Sequence, residues 1–89
     1  MVTKDVMIIN RKGLHARASA SLVKLAQTFK ADVSVEKDGV SVSSHSIMGL
    51  MMLAAAKGDT IKICADGPDA EAAITALFGL VSAGFYEKD

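Results

Sequence analysis

Hydrophobic and polar residues alternate in four short stretches of this chain, and longer stretches between them repeat at helical spacing. From Val2 to Ile9, one parity holds Val2, Lys4, Val6 and Ile8 and the other Thr3, Asp5, Met7 and Ile9. The β-branched content predicts a strand with Ile8 and Ile9 buried at its end. Asn10 to Gly13 is polar, ends in glycine and predicts a loop. From Ala16 to Phe29 the apolar positions Ala18, Leu22, Leu25, Ala26 and Phe29 recur as one face of a helix. Ser19, Ser21, Lys24, Gln27 and Lys30 fall mostly on the other faces, with Lys30 at the C-terminal end, where a cation is favoured.

Val33 and Val35 alternate with Ser34 and Glu36, and Val40 and Val42 with Ser41 and Ser43, on either side of Asp38-Gly39. That pattern predicts a hairpin, because a two-residue primed turn needs positive φ and Asp-Gly supplies it. Ile47 to Ala56 is an apolar run that fits a short helix, with Ser46 as its N-cap and Gly58 past its end. Ile61, Ile63 and Ala65 alternate with Lys62 and Cys64 in a fourth strand from Thr60 to Ala65, stopped by Gly67-Pro68-Asp69. A last helix runs from Ala70 to Ala83, capped by Asp69 or Gly67 and ended by Gly84. Its inner stripe is Ala70, Ala73, Ile74, Leu77 and Val81. The order βαββαβα predicts an α+β open-faced sandwich, a four-stranded antiparallel sheet with helices on one face. Lys4, Asp5, Ser34, Glu36, Ser41 and Lys62 are then expected on the solvent side of the sheet.

Eighty-nine residues are enough for one core, so residues 1–89 are expected to form one domain. Ten basic side chains balance ten acidic ones, which leaves no electrostatic footprint for nucleic acid or an anionic membrane. No apolar run reaches the ~18 residues that suggest a membrane span. Met1 to Asp5 lacks the layout of a signal peptide, and Cys64 has no partner for an internal disulfide. These features predict a cytoplasmic protein. Cys64 itself is expected to be a small packed or half-exposed side chain, and His45, among serines, an exposed loop residue. Phe85 and Tyr86 are expected to pack back on the core or fray.

The chemistry is concentrated in Arg11-Lys12-Gly13-Leu14-His15-Ala16-Arg17, which holds three cations, a glycine and a histidine, with no acid. His15 falls at the start of the first helix. The leading N–H groups of a helix lack intrahelical partners and carry about half a positive charge. A phosphoryl group placed there meets donors and a favourable field. Arg17, in the first turn, opposes the dipole but can offer phosphate oxygens a bidentate fork. Gly13 allows close approach of the backbone. Neutral imidazole is nucleophilic near neutral pH, and the N–P bond it forms is reactive enough to pass the group on. A lone histidine at a helix start also occurs as a surface residue or weak cap. No second histidine, acidic cluster or cysteine pair lies nearby, so no metal and no cofactor are expected.

Gly13-Leu14-His15-Ala16-Arg17 resembles the active-site signature of the histidine-containing phosphocarrier (HPr) family of the phosphoenolpyruvate-dependent phosphotransferase system. Ser46-Ile47-Met48-Gly49-Leu50 resembles that family's second signature, around a regulatory serine. Length, element order and both motif positions agree, so the resemblance spans essentially the whole chain. It implies that His15 accepts a phosphoryl group on Nδ1 from phosphorylated enzyme I and hands it to a histidine of an EIIA-type domain, in sugar uptake or regulation. It implies that Arg17 contacts the phosphoryl oxygens, with Ala16 and Ala18 completing the phosphate-binding turn. The family often has proline where this chain has Ala18. Alanine favours the helix through propensity instead. The Arg11-Lys12 pair resembles nitrogen-related (NPr) members, so the sugar and nitrogen branches both remain open.

Ser46 is explained physically by the N-cap alone. The resemblance adds phosphorylation by an HPr kinase/phosphorylase, which would place about −1.5 to −2 charges at the helix start. The helix after it is apolar all round, and a one-sided sandwich can bury only one of its faces. Ile47, Met48, Met51 and Met52, with Leu14, are therefore expected to form an adaptable docking surface. Such a carrier is expected to be a monomer without catalytic turnover of its own. The alternative is a regulatory or ligand-binding module that docks partners through 47–54, with His15 incidental.

Overall fold

The computed structural model describes residues 1–87. The strands β1 (Val2–Met7), β2 (Asp32–Lys37), β3 (Val40–Ser43) and β4 (Thr60–Asp66) form one antiparallel sheet in the order β1-β4-β2-β3. The helices are α1 (Ala16–Ala26), α2 (Ile47–Met52) and α3 (Ala70–Ser82), and a 3-10 turn, α4 (Gly84–Tyr86), follows. Helix α3 lies against β1 and β4, α2 against β3, and α1 packs on both α2 and α3. This is the open-faced sandwich expected from the βαββαβα order.

The register explains the single core. Val6 pairs with Ile61, Val35 with both Ile63 and Val42, and Val33 with Ala65, so the apolar parities of all four strands share one face. Leu22 and Ala18 of α1, Leu50 of α2, and Ala73, Leu77 and Val81 of α3 close over that face and are fully buried. Each such aliphatic side chain larger than alanine contributes about 1.5–3 kcal/mol. On the opposite face Asp5, Lys62, Glu36 and Ser41 stand in register across the four strands. The lysine has an acid on each side, a favourable cross-strand arrangement.

Several local expectations are corrected. Lys4 shares its parity with Val6, so it points to the helix side, and its Nζ lies 4.4 Å from the centre of the Phe78 ring of α3. Ile8 is buried but Ile9 is exposed, as a two-residue period requires of neighbours. Helix α1 ends at Ala26, where Thr28 N–H and Phe29 N–H turn back onto Leu25 O and Ala26 O in tighter i−3 bonds. Lys24, not Lys30, is therefore the cation of its last turn. Ser19 faces the core rather than solvent, and its hydroxyl donates to Leu14 O at 3.2 Å. Asp69 holds the N-cap position of α3 but its carboxylate accepts from Lys30 N–H at 2.8 Å instead.

Helix α2 stops at Met52, well short of Ala56. Ala54 takes a left-handed φ of 53°, where glycine is usual, and turns the chain out of the helix. The carbonyls released by this turn are recovered by tertiary partners. Lys37 Nζ donates to Leu53 O and Ala54 O at 3.3 and 3.4 Å, and Leu14 N–H donates to Ala55 O at 2.9 Å. Asp59 Oδ2 accepts from Ala56 N–H at 2.9 Å and lies 3.5 Å from Lys37 Nζ. The Ala56 N–H is the main reason that the Asp59 carboxyl is held below its usual range, with the Lys37 charge adding to it against partial desolvation.

Candidate functional site

The loop that carries His15 is seated on the segment that follows α2. Gly13 has a φ of +63°, and a Cβ there would stand 2.2 Å from Ala55 O and 2.9 Å from Ala56 Cα. Glycine is thus required both by conformation and by close approach. Leu14, one residue on, is buried. It was expected in the docking surface, but its side chain anchors the loop in the core, at about 1.5–3 kcal/mol of apolar burial.

His15 is the N-cap of α1, with extended backbone (φ −76°, ψ −179°). Its Nδ1 accepts from Arg17 N–H at 3.3 Å, a long bond. Ser19 N–H is the first in the helix to reach a backbone acceptor, His15 O at 2.9 Å. The N–H groups of Ala16, Arg17 and Ala18 precede it and have no intrahelical carbonyl. The imidazole is partly accessible, at 25% of its side-chain surface, and the Arg17 side chain is exposed beside it. Ala18 is fully buried, so it contributes backbone alone to the turn. His15, Ala16, Arg17 and Ala18 therefore share one helix start, which brings together Nδ1 with its Arg17 N–H donor, the N–H groups of Ala16 and Ala18 that lack intrahelical carbonyls, and the exposed Arg17 side chain.

A residue that motif reasoning did not find completes this site. Glu87 Oε2 is hydrogen-bonded to His15 Nε2. Its other oxygen, Oε1, accepts from Asn10 Nδ2 at 3.0 Å. Asn10 is itself buried, and its Nδ2 also donates to Gly13 O at 2.8 Å. Both partners of the asparagine are acceptors, which fixes the amide orientation and leaves its Oδ1 without a donor among the described residues. Desolvation pushes the Glu87 carboxyl up, but the hydrogen bonds from His15 and Asn10 and the charges of His15 and Lys12 outweigh it. The net position is below the ordinary 4.5. Glu87 is thus an anion at neutral pH. The signal available in the sequence was Gly84-Phe85, a glycine stop followed by an aromatic that could pin the tail; Phe85 is buried and Tyr86 is exposed.

The second predicted site lies on α2. Ser46 is its N-cap, with Oγ accepting from Gly49 N–H at 2.8 Å. A Cβ on Gly49 would stand 2.9 Å from that oxygen, so the close cap depends on glycine. Met48 and Met52 are 70% and 79% exposed, Ile47 and Met51 are partly so, and Leu50 is buried. The four apolar side chains predicted to face solvent do so. Helix α1 packs on α2, and the His15 loop bonds to Ala55 just beyond the end of α2. His45 is exposed and Cys64 half-buried, as expected. Among the described residues no group of three or more His, Cys, Asp or Glu could hold a metal, and no helix is long and apolar enough to cross a membrane.

A family model described as the PTS HPr component phosphorylation site matches residues 2–83. The chain belongs to the HPr family. HPr proteins are phosphocarriers of the phosphotransferase system, and the chain has that family's architecture throughout. It is 47% identical over 89 residues to the phosphocarrier protein HPr of Cupriavidus necator, covering 100% of both chains. It is 40% identical over 84 residues to the phosphocarrier protein NPr of Shewanella violacea, covering 94% of this chain and 92% of that one. The crystal structure of HPr-C-His from Thermoanaerobacter tengcongensis superposes with a TM-score of 0.94 at 40% identity, covering 100% of each chain.

Proposed function

We propose that this HPr-family chain carries a phosphoryl group on His15 Nδ1, taken from phosphorylated enzyme I and passed to an EIIA-type domain. The observation that carries this reading is the position of Nδ1, aimed at the Arg17 N–H from the N-cap of α1. In the transfer the Nδ1 lone pair forms the new N–P bond, and the bond from phosphorus to the donor's histidine breaks with its electron pair returning to the donor. The 3.3 Å bond to Arg17 N–H is given up as the lone pair is used. That N–H, with those of Ala16 and Ala18, then serves the phosphoryl oxygens, and the exposed guanidinium adds a bidentate contact.

Donor and acceptor meet the carrier at the same surface in this reading. Met48 and Met52, flanked by Ile47 and Met51, supply an apolar and deformable contact that can serve two partners in turn. Ser46 is the proposed regulatory phosphorylation site, for an HPr kinase/phosphorylase. A phosphate there would sit at the same cap and add negative charge to that docking side. The chain would act as a cytoplasmic monomer, in either the sugar or the nitrogen-related branch. The test is incubation with enzyme I and phosphoenolpyruvate. An acid-labile phosphate on the intact chain that is absent from His15→Ala supports the reading. No label on a folded chain, while a control HPr is labelled, leaves a docking module in which His15 is incidental.

A further inference from the structure

The proposed transfer uses the helix start and leaves Glu87 unexplained. The backbone that delivers this residue is unusual. Gly84, Phe85 and Tyr86 take φ values of 64°, 56° and 58°, three consecutive left-handed residues of which two carry bulky side chains. Such conformations are disfavoured and persist where the surroundings hold them. Here Phe85 is buried, and Gly84 packs on Ile9 and Asn10, 3.5 and 3.6 Å from where its Cβ would be. The turn folds the tail back over the start of the His15 loop.

The hydrogen bonds at the imidazole determine its proton. An ionised carboxylate can only accept, and it stands at Nε2. A backbone N–H can only donate, and it stands at Nδ1. One neutral tautomer satisfies both, with hydrogen on Nε2 and the lone pair on Nδ1. Asn10 holds the second carboxylate oxygen, so Glu87 cannot rotate away without giving up a second bond.

We propose that Glu87 is a positioning residue for phosphoryl transfer, holding the Nε2 proton of His15 so that Nδ1 faces the helix start as the nucleophile. The proposal rests on His15 being the acceptor. When Nδ1 forms its bond to phosphorus, the ring keeps the Nε2 proton and gains positive charge. No proton has to leave. The charge develops against the Glu87 carboxylate, so their hydrogen bond is stronger in the phosphorylated ring than in the neutral one. A group that gains strength along the reaction lowers its barrier, whereas one equally strong before and after would not. The tail turn accordingly carries its strained backbone for the sake of an anion behind the ring, on the side away from the incoming phosphate.

Glu87→Gln tests this, since the amide keeps the size of the side chain but loses the charge and can donate as well as accept. Two measurements are made on the full chain. The first is the nitrogen-detected NMR spectrum of the His15 ring in its neutral form. The wild type is expected to show an Nε2–H shielded from exchange with water, and that signal is expected to be lost in Glu87→Gln while the remaining amide spectrum is unchanged. The second is the rate of phosphorylation by enzyme I and phosphoenolpyruvate, expected to fall about tenfold, as for loss of one charge-assisted hydrogen bond. Glu87→Asp, which keeps the charge, is expected to recover part of that rate. Ring spectra that are the same in wild type and Glu87→Gln, or a transfer rate that does not change, overturn the proposal. A wild-type chain that takes no phosphoryl group at all instead overturns the carrier reading, and the ring spectra still report on the contact.

Discussion

Glu87 and His15 lie 72 residues apart in sequence and share a side-chain hydrogen bond at the mouth of the first helix. The contact ties folding stability to pH in a definite direction. The folded-state carboxyl titrates below its ordinary value of 4.5, so its ionised form is favoured by folding. Its contribution is fully present above the unfolded-state value and is lost as pH falls through the folded one. Urea midpoints of wild type and Glu87→Gln should therefore differ at neutral pH, with the wild type higher, and converge in acid. A gap that stays constant or widens on acidification would contradict this sign.

Gly13→Ala should be costly for its size. The substitution adds one methyl group to a residue with left-handed φ and drives it into the Ala55 carbonyl. Left-handed backbone costs about 1–2 kcal/mol for an L-residue and overpacking about 1–3 kcal/mol more. We expect a loss of about 2–5 kcal/mol in denaturant unfolding. Since the same contact seats the His15 loop, the residual folded protein should also accept phosphate more slowly.

The opposite change is expected at Ala54. This alanine already has a left-handed φ of 53°. Ala54→Gly relieves that strain and gives back some of the gain through greater freedom of the unfolded chain. A net stabilisation of about 0.5–1 kcal/mol should appear as a higher urea midpoint with unchanged slope.

Met48 separates docking from folding. Its side chain is 70% exposed and contributes little to the core. Met48→Asp should alter unfolding free energy by no more than about 0.5 kcal/mol, as is usual at such surfaces. Its rate of charging by enzyme I should drop about tenfold or more, because an anion replaces an apolar contact. Full activity in the variant would remove Met48 from the docking surface.

Much of this architecture was legible because it depends on short-range pattern. The Asp-Gly turn, the alternation of Ile61, Ile63 and Ala65 and the stripe from Ala70 to Val81 each report a local period, and each appears at its expected place. His15 and Ser46 were legible as caps because capping is also local. The end of α2 was not. Its stop is an alanine in a glycine's conformation, sustained by Lys37 and Leu14, which come from distant parts of the chain. The buried position of Leu14 is not legible in the sequence, because an apolar residue in a polar motif suits a docking surface and an anchor equally well until its burial is known. The contact of Glu87 with His15 is not legible in the sequence, because it needs two non-glycine residues in left-handed backbone, against their local preference.

The tail turn also makes the two ends of the polypeptide unequal. Met1 precedes the first strand, with its ammonium 3.8 Å from Asp66, while the His15 loop leaves the other end of that strand. At about 3.3 Å per residue, the six residues of β1 put some 20 Å between them. Any sequence joined beyond Asp89 would be separated by only two residues from Glu87, whose carboxylate touches the imidazole. Affinity tags, fluorophores or fused domains are therefore best attached at the amino terminus, and a carboxy-terminal fusion would be a sensitive way to jam the site while leaving the core folded.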